Sequence, residues 1–151
     1  MVLNNMATVK SIDELMKKVK GDISKKLAEE RSLTKIKNVN RSSVSEEVYA
    51  VYNPIRYPRR ADNGGLTDPD NITVMPSEVP FGVVLNITND TAPKGFDKIG
   101  KESEFLAPIV EYGTDGRAPW QKPRPFMERT EEKLKNGNVI KNIIKEIDYI
   151  K

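Results

Sequence analysis

Residues 104–129 constrain the fold more than any other stretch of the chain. The segment begins with an apolar run, residues 105–110, whose β-branched end, Ile109-Val110, predicts a strand. Glu111 and Tyr112 close that run, and Gly113 allows a sharp turn through backbone angles that other residues avoid. Residues 114–123 form a loop rich in Pro, Gly and charge. Arg124-Pro125-Phe126-Met127 then opens a helical pattern, with Pro125 suited to a first helical turn. The only tryptophan, Trp120, sits in that polar loop. There it reads either as a binding anchor or as a side chain folded back on its own core.

What such a chain can do is limited by two absences. It has no cysteine, which excludes disulfides, thiol nucleophiles and thiolate metal sites. It has no histidine, which removes the commonest general base and the commonest metal ligand. No cofactor motif is visible, and no paired-carboxylate motif supports a small acid–base enzyme, so no catalysis is expected. No apolar run approaches bilayer length, and the N-terminus lacks the apolar core of a signal peptide. Membrane contact is therefore not expected, and the protein should stay in a reducing cytoplasm or leave it only inside a particle. At 151 residues the chain suits one domain, residues 10–151, behind a loose tail, residues 1–9.

Charge is unevenly placed. Residues 1–60 carry 13 basic against 7 acidic side chains, residues 61–120 carry 4 against 10, and residues 121–151 carry 8 against 5. A basic first third beside an acidic middle suggests nucleic-acid contact at one end, or subunits pairing opposite charges around a ring. The second reading is preferred, because no basic cluster rich in aromatics is present to bind single strands.

Along the chain, Ser11 followed by Glu14 is a capping box at the head of an apolar stripe, Ile12, Leu15, Met16, Val19, Ile23 and Leu27. That spacing predicts a core-facing helix, which Gly21 weakens by roughly 1 kcal/mol. Leu33, Ile36 and Val39 extend the pattern, with a frayed end or turn expected over 38–43. Ser43 and Glu46 suggest a second capping box and a short helix through Val44, Val48 and Val51, ended by Asn53-Pro54.

Strands are predicted at 72–76 and 81–88, the latter burying Phe81, Val83, Leu85 and Ile87 on one face. Two Asn-Ile-Thr triplets, at 71–73 and 86–88, match glycosylation acceptors but carry no weight without a secretory signal. Residues 89–103 read as a polar contact loop that orders on assembly. Residues 125–135 give a helix offering Phe126, Met127 and Leu134 for burial. Asn136-Gly137-Asn138 interrupts it, and Val139, Ile140, Ile143, Ile144, Ile147 and Ile150 define a last helix. Its aliphatic face packs on the N-terminal helix or on a neighbouring subunit. The predicted class is α+β: a long N-terminal helix packed on a small antiparallel β-sheet, with C-terminal helices.

The order Glu-Tyr-Gly-Thr…Arg-Pro-Phe-Met, residues 111–127, resembles the neck proteins of tailed bacteriophages, the head–tail joining or tail-completion family. Tyr52-Asn53-Pro54, Tyr57-Pro58-Arg59-Arg60 and Gly64-Gly65-Leu66-Thr67-Asp68 are similar to the branch found in phages of Gram-positive hosts. The Pro-x-x-Thr-Gly-x-Leu segment of other branches is absent. The resemblance spans most of the chain and is most specific over 105–136. It implies the same α+β plan and a homo-oligomeric ring in the virion neck, sixfold by expectation, assembled in the host cytoplasm. Its partners would be connector or stopper proteins, the tail terminator or the tail tube, with DNA nearby in the channel. Glu111, Tyr112, Gly113 and Thr114 would shape the strand end, and Arg124, Pro125 and Phe126 would lock the returning loop. A Glu111–Arg124 ion pair would orient that loop.

Arg59 and Arg60 read as solvent- or subunit-facing rather than as a phosphate grip. Asp62, Asp68 and Asp70 do not meet the calcium-loop pattern of alternate acids, a central glycine and a closing glutamate, and read as turn residues. The alternative functions are a small basic DNA-binding protein, or another neck component such as a tail terminator or connector.

Overall fold

A computed structural model describes residues 11–53, 59–92, 106–114 and 122–147. Helix α1, Ile12–Ala28, starts as expected: the Ser11 hydroxyl accepts the Glu14 N–H at 3.2 Å. Its stripe behaves in two ways. Leu27 is buried and Ile23 packs against the core, whereas Ile12, Leu15 and Met16 are exposed. Glu29 is extended, and α2, Glu30–Val44, begins directly after it. That single extended residue resets the helical phase. In one unbroken helix Ile36 would lie about two and a half turns beyond Leu27, on the opposite side. With the break, both join one cluster.

The expected turn at 38–43 is instead the heart of α2, where Ile36, Asn40, Ser43 and Val44 are all buried. A second capping box is not formed either. The Ser43 hydroxyl donates to the Val39 carbonyl at 3.1 Å, and the helix continues into a π-helical segment, Ser45–Tyr49. In that segment the Ala50 N–H reaches back five residues to Ser45. The wider turn keeps Val48 in the core and leaves Val51 exposed.

Strands β1, Ile72–Val79, and β2, Gly82–Asn89, pair antiparallel, with Ile72 opposite Asn89 and Val79 opposite Gly82. Both fall where expected. Val83, Leu85 and Ile87 lean on the core, but Phe81 lies in the connecting turn and is 95% exposed rather than buried.

The predicted strand at 105–110 is a helix, α3, Leu106–Tyr112. Ala107, Val110 and Glu111 are its buried positions, a spacing of three and four that only a helix brings to one face. Pro108 lies in its first turn, where the missing N–H has no partner to lose. Tertiary burial therefore overrides the β preference of Ile109-Val110.

Helices α4, Phe126–Asn136, and α5, Val139–Lys145, flank the Asn-Gly-Asn break as expected. Ile143 is fully buried in the cluster of Leu27, so the last helix does pack on α1. Ile150, Phe105 and the tail at 1–9 lie outside the described residues, as do most of the loops at 89–103 and 114–123. No helix among the described residues is long and apolar enough to cross a membrane.

The core has two parts. One joins Val44, Val48, Leu66, Ala107, Val110 and Phe126. The other joins Leu27, Ile36, Ile72, Val74 and Ile143.

Candidate assembly site

Helix α4 begins with a deficit. Its N-cap residue is Pro125, whose side chain cannot accept a hydrogen bond from the first-turn N–H groups. The acceptor comes from another helix. Glu111, buried on α3, accepts the Met127 N–H at 2.8 Å through Oε2 and the Glu128 N–H at 3.0 Å through Oε1. A carboxylate facing two free amides at the positive end of a helix is a charge-assisted cap.

This corrects the expected Glu111–Arg124 ion pair. The Glu111 carboxylate is taken up by α4 backbone, while the Arg124 guanidinium lies over the Tyr52 ring, 5.5 Å from its centroid. Arg124 braces the corner by another route, its backbone N–H donating to the Val110 carbonyl at 2.9 Å. Phe126, fully buried, anchors the start of α4. Pro125 precedes that helix as its N-cap rather than opening it.

The two ends of the segment between α3 and α4 are thus clamped together. At the outgoing end Gly113 has φ +70°, a left-handed conformation that turns the chain away from α3. Beside it Tyr112 is 77% exposed although its neighbour Glu111 is buried, and Thr114 is exposed. Trp120 lies outside the described residues.

The second group of sequence candidates builds a loop folded against the same cluster. Arg59 donates to the Tyr49 carbonyl at 2.9 Å and lies over the Tyr49 ring, 4.6 Å from its centroid. Arg60 donates to the Ala92 carbonyl. Both arginines therefore bond to the chain's own backbone. Gly64 has φ +78°, and its N–H is held by Asp68 at 2.6 Å. A Cβ on Gly65 would come within 2.5 Å of the Ala61 carbonyl oxygen, so only glycine fits. Leu66 is buried beside Phe126.

The acids of this loop serve as turn residues. Asp68 caps the 3₁₀ turn Pro69–Asn71 by accepting the Asp70 N–H at 3.0 Å. Asp62 bonds Arg41 at 3.0 Å; a hydrogen bond from Thr67 and the Arg41 contact hold its carboxyl below the usual range. Among the described residues no group of three or more Asp or Glu side chains converges as a metal site.

A buried polar network, not foreseen from sequence, locks this loop to the helices. Asn40 on α2 donates to the Thr130 hydroxyl on α4 at 3.1 Å. Asn89 donates to the Leu66 carbonyl at 2.8 Å and lies 3.4 Å from Asn40 Oδ1. The Thr91 hydroxyl sits 2.6 Å from Asn89 Oδ1 and 3.1 Å from the Gly65 carbonyl. Asn40 had a legible signal, since it lies one turn from both Ile36 and Val44 on the buried face. Thr91 and Thr130 had none.

Neither a curated protein nor a solved structure matches the chain. A family model, described as YomN, matches residues 11–148. The chain belongs to the YomN family, a phage-associated family.

Proposed function

We propose that this chain is a structural virion protein of the phage neck, without catalytic activity. In this reading it forms a ring that completes the tail end and joins it to the head connector. The observation that carries the reading is the clamped corner between α3 and α4. Buried Glu111, backbone-bonded Arg124 and fully buried Phe126 hold a loop base rigid while Tyr112 stays exposed beside it. An exposed aromatic on a clamped backbone loses little backbone freedom on docking, as an assembly contact requires. Membership of a phage-associated family fits the same role.

The DNA-binding alternative draws on the basic first third of the chain. It is weakened by Arg59 and Arg60, each of which donates to a backbone carbonyl of this chain.

Solution mass with and without duplex DNA separates the two readings. The neck reading expects self-association, or joining with connector and tail proteins, whether or not DNA is present. A monomer that binds duplex DNA, and loses it steeply as salt rises, would overturn that reading.

A further inference from the structure

The apolar stripe of α1 runs past the end of the core. Lys20 holds the tip of the β-hairpin, its Nζ donating to the Val79 and Pro80 carbonyls at 3.2 Å each. Upstream of that tie Ile12 is 79% exposed, and Leu15 and Met16 are about half exposed, all on the side that Ile23 and Leu27 bury further along. These residues form an overhanging amphipathic helix end, with Phe81 exposed at the adjoining hairpin tip.

Past the buried end of that stripe lies an apolar groove of about 1410 Å³. It runs between Leu85 and Ile87 of β2, Met127 and Leu134 of α4, and Ile140 and Ile144 of α5. That is larger than the roughly 300–1,000 Å³ of small-molecule sites and suits a segment of protein.

Ile23 and Leu27 of α1 themselves line this groove. The overhang belongs to the same continuous helix and cannot double back into it. The groove also carries charges of both signs, Glu128, Glu131 and Lys135 on α4 and Lys141 and Lys145 on α5, with Lys135 already paired to Glu131. The overhang carries Asp13 and Glu14 in its first turn and Lys17 and Lys18 in the next.

Resting on the neck-ring reading, we propose that the α1 overhang of one copy docks in the β2–α4–α5 groove of the next. Asp13 then faces the α5 lysines and Lys17 faces Glu128 of α4. Because the two surfaces differ, the contact is head-to-tail, and repeating it closes a ring when the rotation allows. Docking would cover both the exposed helix stripe and the half-buried aliphatic side chains of the groove.

The test uses the full chain, with mass measured over a range of concentrations. Leu15→Glu combined with Met16→Glu removes the overhang's apolar face at exposed positions, so the fold should melt as in wild type. Ile144→Glu disables the groove, and the exposed pair Lys141→Glu and Lys145→Glu does so without touching the core. Each variant alone should assemble about a hundredfold less readily than wild type. An overhang variant mixed with a groove variant should form a one-to-one dimer that grows no further, since each supplies the surface the other lacks. A wild type that oligomerises while the overhang variant keeps full mass overturns the docking but leaves the ring standing, and so does a mixture that stays monomeric. A wild type that remains monomeric at every concentration overturns both.

Discussion

The two halves of the core differ in how completely they close. Around Phe126 the apolar side chains are sealed by polar contacts: Glu111 caps α4, Asn40 bonds Thr130, and the Gly-Gly-Leu loop is pinned through Asn89 and Thr91. Around Ile143 the fully buried residues are fewer than the half-buried ones that surround them, among them Leu85, Ile87, Leu134 and Ile140. The first half spends its polar groups fixing a geometry. The second leaves apolar area in contact with water, which a monomer gains nothing by doing. The closed half shapes the corner, and the open half is the one that the proposed docking would cover.

Breaking the closed half should cost most. Phe126→Ala empties a fully buried site at the start of α4 and should lower unfolding free energy by about 3–5 kcal/mol, read from denaturant midpoints. Glu111→Ala leaves the Met127 and Glu128 amides without their carboxylate and should cost roughly 1–3 kcal/mol. The same change should loosen the loop base, seen as faster amide exchange at those two residues.

The open half should be more forgiving. Leu134→Ala removes a half-buried side chain and should cost about 1–2 kcal/mol in the monomer, well below the Phe126 change. If it matches Phe126→Ala, the two halves are equally closed and the comparison fails.

The smallest effect is electrostatic. Glu146 bonds Lys35 at 3.1 Å and Lys26 at 3.2 Å, joining the end of α5 to α2 and α1. The Lys35 hydrogen bond first, and the Lys26 one second, hold its carboxyl below the ordinary value of 4.5. A carboxyl depressed in the folded state stabilises above its unfolded value, and that contribution disappears as pH falls through the lower folded value. The small midpoint gap between wild type and Glu146→Gln should therefore be present at neutral pH and close as pH drops below 4.5.

The periodic parts of this fold were legible in the sequence. The Ser11 cap, the two strands and the Asn-Gly-Asn break stand where local pattern put them, because local chemistry alone determines them. What escaped depended on distant partners. Ile109-Val110 favours a strand, yet α3 forms because Ala107, Val110 and Glu111 must reach one core. Asn40 looked like a helix end until Thr130 and Asn89, far along the chain, gave it partners. Glu111 and Arg124 were correctly grouped at one corner but paired wrongly. A missing cap on α4 outcompetes an ion pair for the carboxylate, and the uncapped Pro125 was the sequence clue. Likewise the α1 stripe gave no sign of where it outruns its core, which the length of the hairpin decides.

The central claim is the location of this chain in a particle. Imaging purified virions with the subunit labelled at Lys151 tests it directly. The account predicts label confined to the head–tail junction, in several copies per particle. Label at the tail tip, or particles that carry none of the protein, would contradict it.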